Sequence, residues 1–244
     1  MIKQAYISKG VAHFAERFMA NYGLRPFDNP DEPTVIFGMY YDEDYHFLIE
    51  NNVKIIVWCG VDSAIINKRG AYFVAKSEAL NIASLSGIQA NLKKVGLPYL
   101  DLKVTAANLS LTCEPRGDKI YHYGDGTDKY GESMLDEIEQ QTGIEILRYK
   151  SLQMPYDEFM KINPYRDCFV CLGTSYTGSG TTMIEMGLMG RRSINNGNLP
   201  HAVKYRNVKD IVRAVKKEYE RRHEDNLKIY QSFSKTYNIG TEWL

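Results

Sequence analysis

Short apolar runs rich in β-branched and aromatic residues recur along the chain, and between them lie longer stretches with apolar positions every three or four residues. The runs TVIFGMY, VKIIVWCG, AYFVAK, KIYHYGD, IEILRYK, CFVCLG and RSINNG read as strands, as does a short one before Gly10. The stretches AHFAERFMANYG, DYHFLIENN, SGIQANLKKVG, GESMLDEIEQQTG and the long VKDIVRAVKKEYERRHEDNLKIYQSF read as helices, and three of them end at a glycine, a common helix stop. This alternation predicts an α/β fold with parallel sheets built from βαβ units. The strands are too many for one small doubly wound domain, and LPYLDLKVTAANLSLTCEPRGDK breaks the rhythm mid-chain. Two lobes follow, with a boundary near residues 112–118, where Pro115 and Gly117 sit. Trp243, almost at the chain end, is too large a ring to leave in water, so the tail is expected to dock.

In open parallel sheets ligands gather at the carboxyl ends of the strands, which directs attention to the loops there. CFVCLG runs into TSYTGSGTT, where Gly178 and Gly180 let backbone approach a ligand and Thr181 opens a helix whose free amides suit a phosphate. The competing reading is a tight turn capped by Ser179 or Thr181. KIYHYG runs into DGTDKYG, a second Gly-rich turn, and its Lys129 is either the point charge a diphosphate wants or a solvated surface charge. Near the N-terminus Gly10 precedes a helix carrying His13, placed to meet a phosphate or sugar hydroxyl or to sit capped at the surface. Asp62 follows VWCG and serves an acceptor hydroxyl or caps a helix. In YDEDY, Asp42 and Glu43 imitate a metal-holding Asp-x-Asp, but helix capping explains them better. Arg191 and Arg192 are either lobe-surface charges or phosphate contacts. Glu185 is the odd residue of MIEMGLM: an ionised carboxylate on an apolar helix costs several kcal/mol to desolvate, so it must be paired, neutralised or held for a polar ligand.

Composition narrows the classes. Across 244 residues, 30 Lys and Arg balance 30 Asp and Glu, so no global field favours nucleic acid or an anionic membrane. No apolar run approaches the roughly 20 residues that span a bilayer, and MIKQAYISKG lacks an apolar signal core, so the expected location is cytoplasmic. The four cysteines are too few for a disulfide scaffold. Cys168 and Cys171 form a C-x-x-C inside a strand, where alternation would send the thiols to opposite faces, and this speaks against a metal or redox pair.

SYTGSGTTMIEMGLMG, DGTDKYG and SKGVAHFAERFMANYG together resemble motifs of the retaining glycosyltransferases of the GT-B fold, of the E-x7-E type and family-4-like. The two glycines, the helix and the second Glu keep the family's spacing with Glu185 in that place, while Thr177 stands where the first Glu is usual. The resemblance implies two Rossmann-like lobes facing a central cleft: residues 1–112 on the acceptor side, 113–226 binding the nucleotide-sugar, and 227–244 packing back on the first lobe. It implies that Glu185 holds the ribose, that Thr177, Gly178, Ser179, Gly180 and Thr181 line the sugar and diphosphate, and that Gly124 and Tyr149 border them. Lys129 would stabilise the leaving diphosphate, although Asp125 replaces the usual preceding Arg, and Gly10 and His13 would face the phosphates or the acceptor, with Asp62 on the acceptor. The implied reaction moves a sugar from a nucleotide diphosphate to a glycan or other hydroxyl acceptor with retained configuration, needing no metal and no cofactor beyond the donor. The rival expectations are a nucleotide-sugar epimerase of similar fold and a catalytically inert nucleotide-sugar-binding module. Oligomeric state is left open.

Overall fold

The computed structural model describes residues 1–124, 131–150, 155–174 and 180–244. By its internal contacts the chain divides into two compact units, Met1–Asn108 with Tyr237–Leu244, and Leu109–Thr236. Each unit is an α/β layer built on a wholly parallel sheet.

In the first unit the sheet contains β1 (Gln4–Ile7), β2 (Arg25–Pro26), β3 (Thr34–Phe37), β4 (Val53–Trp58) and β5 (Leu80–Ala83), in the order β2-β1-β3-β4-β5. All four residues of β3 are buried, as a parallel strand covered on both faces requires. Alternation sends Ile36, Ile56 and Trp58 into a core with α2 (Asp42–Glu50), α4 (Lys68–Ser77) and α5 (Ser86–Lys94), while the short α3 (Asp62–Ile65) follows the end of β4. Val35, Phe37, Ile55 and Val57 face the other way, onto α1 (Ala15–Tyr22) and the chain end. The tail docks as its tryptophan demands: Trp243 meets Tyr22 edge-on at 5.2 Å, and Ile2 N donates to Leu244 O at 2.8 Å.

The second sheet contains β6 (Lys119–Gly124), β7 (Ile146–Lys150), β8 (Cys168–Leu172) and β9 (Arg192–Ile194), in the order β7-β6-β8-β9. One face packs on α6 (Glu132–Thr142) and α9 (Val208–Glu220), the other on α7 (Tyr156–Ile162) and α8 (Thr181–Leu188). The chain's last helix, α10 (Leu227–Tyr237), belongs to this unit as far as Thr236, so only the eight residues from Tyr237 count with the first.

Four sequence expectations need correction. AYFVAK is not a strand but most of α4: Asn67 caps it by accepting from Gly70 N at 2.8 Å, and Gly70, Ala71 and Val74 form its buried stripe. Residues 208–233 are not one helix; α9 stops at Glu220 and α10 starts at Leu227, with Asn226 between them bound to Glu114 O at 2.9 Å. Residues 12–23 begin as a 3-10 helix, Lys9–Phe14, before α1. Cys168 and Cys171 share a face, because β8 spends two residues against one of β6, with Lys119 opposite Cys168 and Ile120 opposite Val170. That bulge puts Phe169 and Val170 together on the other face. Both thiols are free and buried, and burial pushes Cys168 up to about 12, so neither behaves as a reactive thiolate. The helix-end glycines Gly23, Gly96 and Gly143 do stand where expected, with φ of +62, +74 and +69.

Candidate functional site

The strand order of the second sheet reverses between β6 and β8, because β7 lies outside β6 while β8 and β9 follow on the other side. Ligands of doubly wound sheets bind at the carboxyl ends flanking such a reversal. The two Gly-rich turns singled out in the sequence leave these two strands and no others. β6 ends at Gly124, and β8 runs through Leu172 into Gly173 and Thr174. The far end of the first segment is adjacent to the start of the second: Gly131, at φ +74 just ahead of α6, lies so close to Thr174 that a Cβ there would come within 2.5 Å of its Oγ1. Gly180 is the N-cap of α8 and Thr181 its first residue, which leaves the opening amides of that helix at the same edge. Lys129, Thr177, Gly178 and Ser179 lie outside the described residues.

Glu185 falls one turn into α8 and is 1% exposed. Tyr156 OH donates to its Oε1 and Tyr165 OH to its Oε2, each at 2.9 Å. Burial, then the Glu185 charge, pushes the Tyr165 hydroxyl well above its ordinary value, so it remains a donor. The surroundings are aromatic: Tyr165 meets Tyr121 edge-on at 5.0 Å, and Tyr121 stacks on Tyr149 at 5.6 Å. Tyr149 and Glu185 therefore belong to one cluster on the α7 and α8 side of the sheet. Two tyrosine hydroxyls thus anchor the carboxylate, one on each oxygen. Arg191 is fully buried on the same unit, but its guanidinium is spent on backbone carbonyls, so it is neither a surface charge nor a phosphate contact.

Sequence reasoning missed His122. It is 1% exposed in β6, one residue short of Tyr123, with Nδ1 3.1 Å from Leu172 O and Nε2 without a hydrogen-bond partner among the described residues. Glu132, at the start of α6, is 3.8 Å away. The signal was a lone polar residue inside KIYHYG. Burial pushes this imidazole below its ordinary value. An unfolded His protonates near pH 6.5, so as the pH drops through about 6.5 the unfolded chain takes up protons before the folded one and stability falls. Replacing His122 by Gln should flatten the acid limb of a denaturation midpoint plotted against pH; an unchanged limb would show that this imidazole does not titrate on unfolding.

In the first unit the carboxylates do structural work. Asp62 is fully buried, and its two oxygens accept from the amides of Met39 at 3.2 Å, Cys59 at 3.0 Å, Gly60 at 2.7 Å and Ser63 at 2.9 Å. Burial raises its pKa against the pull of those four amides. The capping role thus extends to a whole loop at the end of β4. In YDEDY the organising residue is Asp44, which receives Tyr6, Ser8, Tyr40 and Tyr41, while Asp42 and Glu43 are exposed. No group of His, Cys, Asp or Glu among the described residues has a geometry for holding a metal. Gly10 is fixed by packing, since a Cβ would sit 2.5 Å from the Tyr40 ring. His13 is exposed and lies against Phe14, and burial with Arg17 nearby lowers its pKa.

No protein-family profile matches the chain, and no curated protein sequence matches it. Fold and site define an α/β protein of two parallel-sheet units, the second of which brings Gly131, Thr174, the start of α8 and a buried glutamate together. No helix among the described residues is long and apolar enough to cross a membrane.

Proposed function

We propose that the chain is a retaining glycosyltransferase of GT-B architecture that takes a sugar from a nucleotide diphosphate and delivers it to an acceptor hydroxyl. The observation that carries this reading is that β6 and β8 flank the strand-order reversal, with Gly131 against Thr174 and α8 opening after Gly180. Backbone amides at a helix start and a lysine in the facing turn are the groups that stabilise charge growing on a departing diphosphate, each worth about 3 kcal/mol when well placed. In this reading the second unit carries the donor, with Glu185 gripping the ribose, and Lys129 is the phosphate contact. Gly10, His13 and the first unit serve the acceptor side. Asp62, with both oxygens on amides, shapes that side without binding the acceptor itself.

A second reading, an inert nucleotide-sugar-binding module, draws on one observation: a tyrosine hydroxyl already engages each oxygen of Glu185. Thermal-shift assays with UDP-, GDP-, ADP- and TDP-glucose separate the cases. A cognate donor at 100 times its dissociation constant raises stability by about 2.7 kcal/mol, and Glu185→Gln should lose that increment even after its own lower midpoint is subtracted. Transfer to a hydroxyl acceptor then distinguishes enzyme from module, and isomerised donor in the absence of acceptor would indicate an epimerase. If no nucleotide-sugar moves the parent's midpoint, or the variant responds as the parent does, the ribose role is wrong.

A further inference from the structure

The second unit has another feature at the opposite edge of its sheet. Arg192 occupies the first position of β9, and residues 201–204 run parallel beside that strand, with Val203 bridged to Ile194. Here, at the amino-terminal edge and away from the Gly-rich turns, a cavity of about 430 Å³ is bounded by Arg192, His201, Lys204, Lys217, Glu218 and Arg221. Four permanently cationic side chains thus meet one carboxylate. Glu218 is 4% exposed on its side chain, with Arg192 Nε at 3.2 Å and Arg221 Nη1 at 3.8 Å, neither aligned as a hydrogen bond.

Polar saturation is poor at this place and good elsewhere. Among the described residues, five buried side-chain polar atoms have no hydrogen-bond partner, and three of them, Arg116 Nε, Arg192 Nε and Glu218 Oε2, belong to this cluster. Arg116 reaches it from the irregular segment before β6, and its Nη2 donates to Arg221 O at 2.6 Å and Glu224 O at 2.7 Å. Native proteins keep such atoms rare, and where they gather they mark a place built to meet something polar. The surplus is of donors and positive charge, so the matching partner is an anion rich in acceptor oxygens, and planar guanidinium forks suit phosphate oxygens best. The volume exceeds what a bare phosphate needs and falls within the range of about 300–1,000 Å³ typical of small-molecule sites.

We propose that this cavity binds a small phosphate-bearing anion, a diphosphate or phosphomonoester, at a site separate from the donor turns. Arg192 and Arg221 grip the phosphoryl oxygens, Lys204 and Lys217 draw the anion in, and buried Glu218 holds the two guanidinium groups apart. Calorimetric titration with inorganic pyrophosphate, repeated with glucose 6-phosphate, tests it on the full chain. The parent should bind at least one of the two, and Lys217→Gln/Arg221→Gln should weaken that binding about tenfold or more, since each lost charge-assisted contact is strong. Lys217 is exposed and the Arg221 side chain 37% exposed, so the double variant should melt as the parent does; Lys217→Gln alone serves if it does not. In Lys129→Gln the binding step that the Lys217 variants lose should persist, whatever the donor segment itself takes up. No heat with either probe, equal affinity in the Lys217 variants, or a loss that follows Lys129→Gln instead would overturn the proposal.

Discussion

Arg191→Ala should destabilise the second unit by about 3–5 kcal/mol, since it deletes a large buried side chain and four charge-assisted hydrogen bonds at once. Arg191 is fully buried, yet among the described residues no carboxylate touches it. Its Nε donates to Cys168 O at 3.2 Å, Nη1 to Glu114 O at 3.1 Å and to Met189 O, and Nη2 to Pro115 O at 2.7 Å. One guanidinium therefore ties the segment before β6, the start of β8 and the end of α8, three stretches with no ladder in common at that point. Burial lowers its pKa to about 10, which still leaves it charged at neutral pH. Truncation removes a charged donor from four carbonyls: Cys168 O, Met189 O and Glu114 O keep a second donor in Gly117 N, Glu114 N and Asn226 Nδ2, whereas Pro115 O is left to find a substitute, at about 1–3 kcal/mol if it finds none. Arg191→Lys should recover less than half of the loss, because an ammonium presents its donors from one atom and cannot span the three segments. Urea denaturation followed by tryptophan-independent far-ultraviolet dichroism checks this, and a midpoint for Arg191→Ala within about 0.5 kcal/mol of the parent would show that water replaces the clamp.

The parallel architecture was legible because buried strands of such sheets are continuous apolar runs, as in TVIF and CFVCL. β5 escaped notice since LNIA is short and carries Asn81, whose polarity makes sense only once Trp58 Nε1 is seen donating to it at 2.9 Å. AYFVAK misled for a related reason: its composition is strand-like, and what decides for helix is Asn67 outside the run. Helix breaks without Gly or Pro, like that between α9 and α10, depend on tertiary contacts such as Asn226 with Glu114.

Site residues divide along the same line. Neighbouring turns after β6 and β8 could be anticipated, because chain order and Gly-rich composition are local properties. The partners of Glu185 could not: Tyr165 is 20 residues away and Tyr156 29 residues away, and no spacing rule links either to α8. Arg191 and Arg192 show the limit most plainly. They are adjacent, identical and equally charged in the sequence, yet one is a buried backbone clamp and the other lines an open cavity.

Asp44→Ala should destabilise the first unit by about 3–4 kcal/mol, through loss of a cap and of buried polar satisfaction together. Asp44 is 1% exposed and lies in the first turn of α2. Its Oδ1 accepts from Tyr6 OH at 2.9 Å; its Oδ2 accepts from Ser8 OH at 2.7 Å, Tyr40 N at 2.8 Å and Tyr41 N at 2.9 Å. The donors come from β1, from the residue after it and from the turn after β3, so this carboxylate fixes both loops at the point where the strand order of the first sheet reverses. Without it Ser8, itself fully buried, and two turn amides face an apolar gap. Asp44→Asn makes the argument testable in detail. Its carbonyl oxygen can occupy the Oδ2 position and serve the three donors there, while its amide faces Tyr6, whose hydroxyl can rotate to accept. The asparagine variant should therefore retain more than half of what alanine loses. Equal losses for the two would mean that the negative charge, and not the hydrogen-bond geometry, holds these loops in place.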